Sequence, residues 1–101
     1  MLAVDRTTKQ FVAALKENFP QVDVSVQKSR NNYGRSNYVY IISKQVQKMW
    51  KVRISDHPIG PWRFKHGNES FFINAGAKPQ AWSIWMGEFA KEVSPPISEQ
   101  R

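Results

Sequence analysis

At 101 residues, 41% hydrophobic and without cysteine, the chain has the size of one hydrophobic core, and disulfides, thiolate zinc sites and a cysteine nucleophile are excluded together. The formal charge of +7 is unevenly spread. Residues 28–65 hold nine Lys or Arg against one acid, Asp56, a local balance of +8, while the rest of the chain carries six basic and seven acidic residues. A field concentrated in the middle of a chain favours a polyanion or an acidic protein surface.

The opening residues lack the basic lead and apolar run of a signal peptide, and no apolar stretch reaches the roughly 18 residues of a bilayer span. A soluble, cytoplasmic protein with no membrane role is the expectation.

In chain order, residues 5–19 read as a helix capped by Asp5 or Thr7, with Phe11, Val12, Leu15 and Phe19 at three- and four-residue steps; Pro20 ends it. Val22, Val24 and Val26 alternate with Asp23, Ser25 and Gln27, predicting a first strand to about Lys28 with its valines inward. Ser29–Ser36 has the Asn, Ser and Gly content of a loop. Residues 38–54 read as a hairpin with its turn in Lys44-Gln-Val-Gln47: Val39, Ile41, Trp50, Val52 and Ile54 face the core, while Tyr38, Tyr40, Lys51 and Arg53 face out. Ser55–Pro61 is irregular because of its prolines and glycine. Trp62–Lys65 is a candidate short strand, His66–Glu69 a turn, and Ser70–Asn74 a strand closing one edge. From Pro79 a last helix carries Trp82, Trp85, Met86, Phe89, Ala90 and Val93 at offsets of 3, 4, 7, 8 and 11; Ser94-Pro-Pro96 ends it.

The expected architecture is a two-layer α+β sandwich over residues 1–94, in the order α-β-β-β-(β)-α, followed by a flexible tail at 95–101. An antiparallel sheet of three to five strands has both helices on one face, leaving the other face wet. This element order is also that of double-stranded RNA-binding domains, whose basic start of the last helix is missing here, since Lys78 stands alone.

The wet face is the main functional candidate. Ser25, Gln27, Tyr38, Tyr40, Lys51 and Arg53 should share it, with Arg30, Tyr33 and Arg35 at a rim. Rings on which bases stack, interleaved with cations for phosphates, are what a sheet-surface reader of single-stranded nucleic acid uses; the competing reading is ordinary cross-strand pairing of exposed residues. The segment Arg30-Asn-Asn-Tyr-Gly-Arg35 offers two guanidiniums and backbone amides for phosphate, against which stands a solvated hairpin loop. Trp62 and Arg63 form a second candidate anchor beside the 55–63 loop. Asp56 next to His57 suggests acid–base chemistry, but adjacent residues on an extended chain point apart and Pro58 follows, so a turn in which Asp56 caps local amides is the stronger reading. His57 and His66 have no metal-ligand spacing, no cofactor motif is present, and no nucleophile elbow or carboxylate pair suggests an enzyme. The Trp82/Trp85/Met86/Phe89 stripe reads as core.

Two passages resemble known sequences. Thr8-Lys-Gln-Phe-Val-Ala-Ala-Leu-Lys-Glu-Asn-Phe-Pro-Gln-Val-Asp-Val-Ser-Val-Gln-Lys28 resembles the helix-to-strand opening of small domains attached to large polyvalent proteins of phages and conjugative elements. Lys51-Val-Arg-Ile-Ser-Asp-His-Pro58 resembles a segment of uncharacterised phage and prophage proteins. Together they span about 30 residues and contain no catalytic motif. The resemblance implies a mobile-element origin and a small accessory role, in nucleic-acid handling or as an inhibitor or adaptor that blocks a host defence complex.

Overall fold

The structure is a computed structural model that describes residues 2–31, 34–56 and 69–93. Helix α1 (Ala3–Asn18) is followed by strands β1 (Asp23–Asn31), β2 (Gly34–Ser43), β3 (Lys48–Ser55) and β4 (Glu69–Asn74), then helix α2 (Gln80–Val93). The strands form one sheet in the order β1-β2-β3-β4. This is the expected α+β layout. The expected Trp62–Lys65 strand, most of the 66–69 turn and the 95–101 tail lie outside the described residues.

Both helices pack on the face that carries Val39, Ile41, Trp50, Val52, Ile54 and Ile73, as alternation predicts. Phe11 and Leu15 of α1 and Trp82, Phe89 and Val93 of α2 are buried with them in one cluster. Phe11 meets Trp82 edge-on with ring centroids 5.5 Å apart, which joins the helices over the sheet. Phe89 is the centre of this layer. It stacks on Trp85 at 4.9 Å and meets Phe19 and Trp50 edge-on at 4.9 and 4.8 Å. Fully burying such side chains contributes about 1.5–3 kcal/mol each. The indole N–H of Trp50 donates to Glu92 Oε1 at 3.0 Å, so its one polar atom keeps a partner.

Four details depart from the sequence reading. The first helix starts earlier, at Ala3, and its N-cap position is Leu2, without a side-chain cap. Asp5 and Thr7 lie inside its first two turns, past the cap position, and act in tertiary contacts instead. The Asn37 amide donates to Asp5 Oδ1 at 3.0 Å and to Thr8 Oγ1 at 2.8 Å, and Thr8 donates onward to the Val4 carbonyl at 2.7 Å. Thr7 Oγ1 accepts the Gly76 N–H at 2.7 Å, tying α1 to the turn after β4, where Gly76 adopts φ +88°.

Second, the 29–36 segment is mostly strand. Pairing in one register runs from Asp23↔Ile42 through Arg30↔Arg35 to Asn31↔Gly34. Composition marked the reversal there but not how far the ladder reaches into it. Third, β1 carries its valines on the helix side without burying all of them: Val26 is 42% exposed, because α1 lies over β2 and β3 and α2 lies against β4, short of this edge.

Fourth, β4 pairs with β3 in parallel, not antiparallel. The 13 residues 56–68 between them meet the dozen or so that a parallel connection requires. The β2–β3 turn falls on 44–47 as expected, with the Val46 N–H donating to Ser43 Oγ at 3.3 Å and Gln47 at φ 56°.

Candidate functional site on the open sheet face

The face turned away from the helices takes alternate residues of every strand. Register sets Ser25 opposite Tyr40, Gln27 opposite Tyr38, Tyr38 opposite Arg53 and Tyr40 opposite Lys51. On β4, Phe72 is the partner of Arg53. The residues that alternation assigned to this surface, Tyr38, Tyr40, Lys51 and Arg53, do share it, and among the described residues no element packs over them.

Their geometry is that of stacked cations and rings. Lys51 Nζ lies 4.9 Å from the Tyr38 centroid and 5.9 Å from that of Tyr40. Arg53 Cζ lies 5.7 Å from Tyr38 and 6.0 Å from Phe72. Tyr38 thus carries one directly opposed and one diagonal cation, the two neighbour relations available across an antiparallel pair, and each contact is within cation–π range. The Tyr40 hydroxyl donates to Gln27 Oε1 at 3.3 Å, and Arg53 Nε donates to Ser36 Oγ at 3.3 Å. These contacts join six side chains in a defined order across the four strands: Gln27, Tyr40/Tyr38, Lys51/Arg53, Phe72.

The remaining candidates divide. Arg35 shares the side of its strand with Asn37, Val39 and Ile41, the helix side, by alternation. Its Nε pairs with Asp56 Oδ2 at 3.1 Å and its backbone N–H donates to Asp56 Oδ1 at 2.8 Å. Its amide and guanidinium are therefore both engaged by one carboxylate, with 45% of the side chain still exposed. Asp56 does cap an amide, but one across the sheet, with its own N–H returning to the Arg35 carbonyl at 3.0 Å. Arg30 pairs with Arg35 along the backbone. Tyr33, Trp62, Arg63, His57 and His66 lie outside the described residues.

Three residues of this face escaped the sequence reading. Phe72 stands between Phe71 and Ile73, an unbroken apolar run that hides which member turns outward. Ile42 and Met49 face each other at the turn end of the hairpin, 40% and 47% exposed. Extending the Tyr38/Tyr40 alternation by one step would have found Ile42. The open face thus grades from apolar at the turn to aromatic and cationic at its centre.

No helix among the described residues is long and apolar enough to cross a membrane. Comparison with protein-family models, with curated proteins and with solved structures returns no match.

Proposed function

We propose that the open sheet face binds single-stranded nucleic acid, in a small accessory protein of phage or other mobile-element origin. The observation that supports this most is the juxtaposition of Lys51 and Arg53 with the Tyr38 ring, at 4.9 and 5.7 Å. Tyr38, Tyr40 and Phe72 offer flat surfaces to bases, and the cations between them meet the backbone phosphates. The cross-strand contacts prearrange these groups, so little side-chain order remains to be imposed on binding. Stacking of this kind is sequence-tolerant, in keeping with a general handling role.

The test is fluorescence anisotropy with labelled single-stranded RNA and DNA oligonucleotides across a salt series. Affinity should fall steeply with salt, and Lys51→Ala or Arg53→Ala should each lower the log–log slope by about 0.7. Tyr38→Ala should weaken binding about tenfold, at the low end of one base stack. No binding at low salt, or variants that bind like the parent, removes the proposal.

Ile42 and Met49 favour a second reading, in which the same face docks on a protein with an acidic surface as an inhibitor or adaptor. Capture of a partner that survives nuclease treatment and is lost in Met49→Asp supports that reading over the first.

A further inference from the structure

The opposite side of the molecule holds a second surface, unrelated to the cation–ring face. Asp5, Thr8, Lys9, Val12, Ala13 and Lys16 recur along one side of α1 and look across a groove of about 490 Å³ at Val26 and Lys28 of β1. The middle of the groove is apolar: Val12 and Ala13 from the helix, and Val26 from the strand. Its rim is basic. Lys9 and Lys16 are exposed and form no ion pair among the described residues, and Lys28 reaches Asp5 only at 3.7 Å with 61% of its side chain exposed.

Beside this groove runs the edge of the sheet. β1 has nine residues and, among the described residues, pairs on one side only, with β2. Its ladder is continuous, and of the devices that normally blunt such an edge it carries no proline and no bulge but one inward lysine, Lys28. Half of the backbone N–H and C=O groups of an edge strand point outward and can pair with an added strand.

We infer that the β1 edge and the α1–β1 groove together form a docking site for an extended acidic peptide, which adds to the sheet as a fifth strand. Main-chain hydrogen bonds to β1 supply the register. Apolar side chains on the helix side of the added strand cover Val26, Val12 and Ala13. Carboxylates two residues further along, on the same helix-side face of the added strand, meet Lys9, Lys16 and Lys28. Charge selects this occupant over a second copy of the chain: pairing β1 with β1 of another copy would set two groove rims of the same sign against each other in a protein of net +7.

The experiment uses the full chain and a fluorescein-labelled ten-residue peptide with serine at every second position and Val and Glu taking turns at the positions between, so that both face the helix side. Anisotropy should show saturable binding. A peptide N-methylated at alternate residues, which cannot form the ladder, and a Lys/Val counterpart should both fail. The double variant Lys9→Glu/Lys16→Glu, at exposed helix positions where circular dichroism confirms folding, should weaken binding about tenfold. Lys91→Ala, on α2, should leave it unchanged. Amide shifts in two-dimensional NMR should concentrate on residues 8–16 and 23–29. Equal binding of the N-methylated or Lys/Val peptide, or shifts centred on Tyr38 and Lys51, overturns the inference. So does a concentration-dependent dimer that Val26→Lys dissociates, which would give the edge to a second copy. Absence of binding at low salt overturns it as well, and leaves nucleic-acid binding by the other face untouched.

Discussion

Replacing Asn37 with leucine tests the polar seam between α1 and the sheet. Asn37 is 1% exposed, and its amide gives hydrogen bonds to Asp5 Oδ1 and Thr8 Oγ1. Leucine, of the same branched shape but with bulkier methyl groups, removes both. The Asp5 side chain is 22% exposed, so water replaces part of what its carboxylate loses, whereas Thr8 at 5% has no such access. A buried acceptor left unmet costs about 1–3 kcal/mol, and a hydrogen bond to a charged group contributes about 1.5–3 before solvent compensation. Roughly 1 kcal/mol returns from the added apolar burial. Asn37→Leu should therefore cost about 2–3 kcal/mol, a large part of the stability of a domain this size. Urea unfolding followed by fluorescence of the four tryptophans measures it at constant slope. Thr8→Val should then cost less in the Asn37→Leu background than alone, by about 1 kcal/mol, because the orphaned hydroxyl leaves with it. A single-variant loss below about 0.5 kcal/mol, or additive effects in the cycle, would refute the seam as a coupled unit.

Phe89→Ala should cost about 3–5 kcal/mol, and Phe89→Leu about 1–2 kcal/mol, the part owed to its three ring contacts; calorimetry showing Phe89→Leu as stable as the parent would argue against a geometric contribution. Gly76→Ala should lose about 1–2 kcal/mol through φ +88° alone, since a Cβ there meets nothing within 4 Å. Gln47→Gly, at φ 56°, should gain up to about 1 kcal/mol after the entropy of glycine is subtracted; thermal melts showing the opposite signs would contradict both. Lys51→Glu should weaken single-stranded oligonucleotide binding more than Lys51→Ala does, read by anisotropy at fixed salt, because it adds repulsion to the lost contact.

Periodicity carried most of the architecture. Val39/Ile41 against Tyr38/Tyr40, and Trp50/Val52/Ile54 against Lys51/Arg53, are period-two patterns that fix a face without any tertiary information, and the tryptophan-rich helix has one unambiguous stripe. What escaped was whatever depends on partners distant in sequence. The 13 residues before β4 permit either direction, and its own residues do not choose between them. The burial of β1 valines depends on how far the helices reach across the sheet. Asp5 and Thr7 look like caps locally, and only the arrival of Asn37 and Gly76 shows what their oxygens hold. Arg35 was legible as a cation but not as a ligand of Asp56, 21 positions away.

The parallel pairing of β4 has a kinetic corollary. β1, β2 and β3 are joined by short reversals and can zip together from neighbouring residues, but β4 must return over residues 56–68 and lie beside β3 in the same sense. Closing a longer loop delays such contacts. Phe72 therefore reaches Arg53 late in folding, and β4 amides should exchange with deuterium ahead of those in β2. The outer column of the cation–ring face is the last part of that surface to be laid down and the first to be lost.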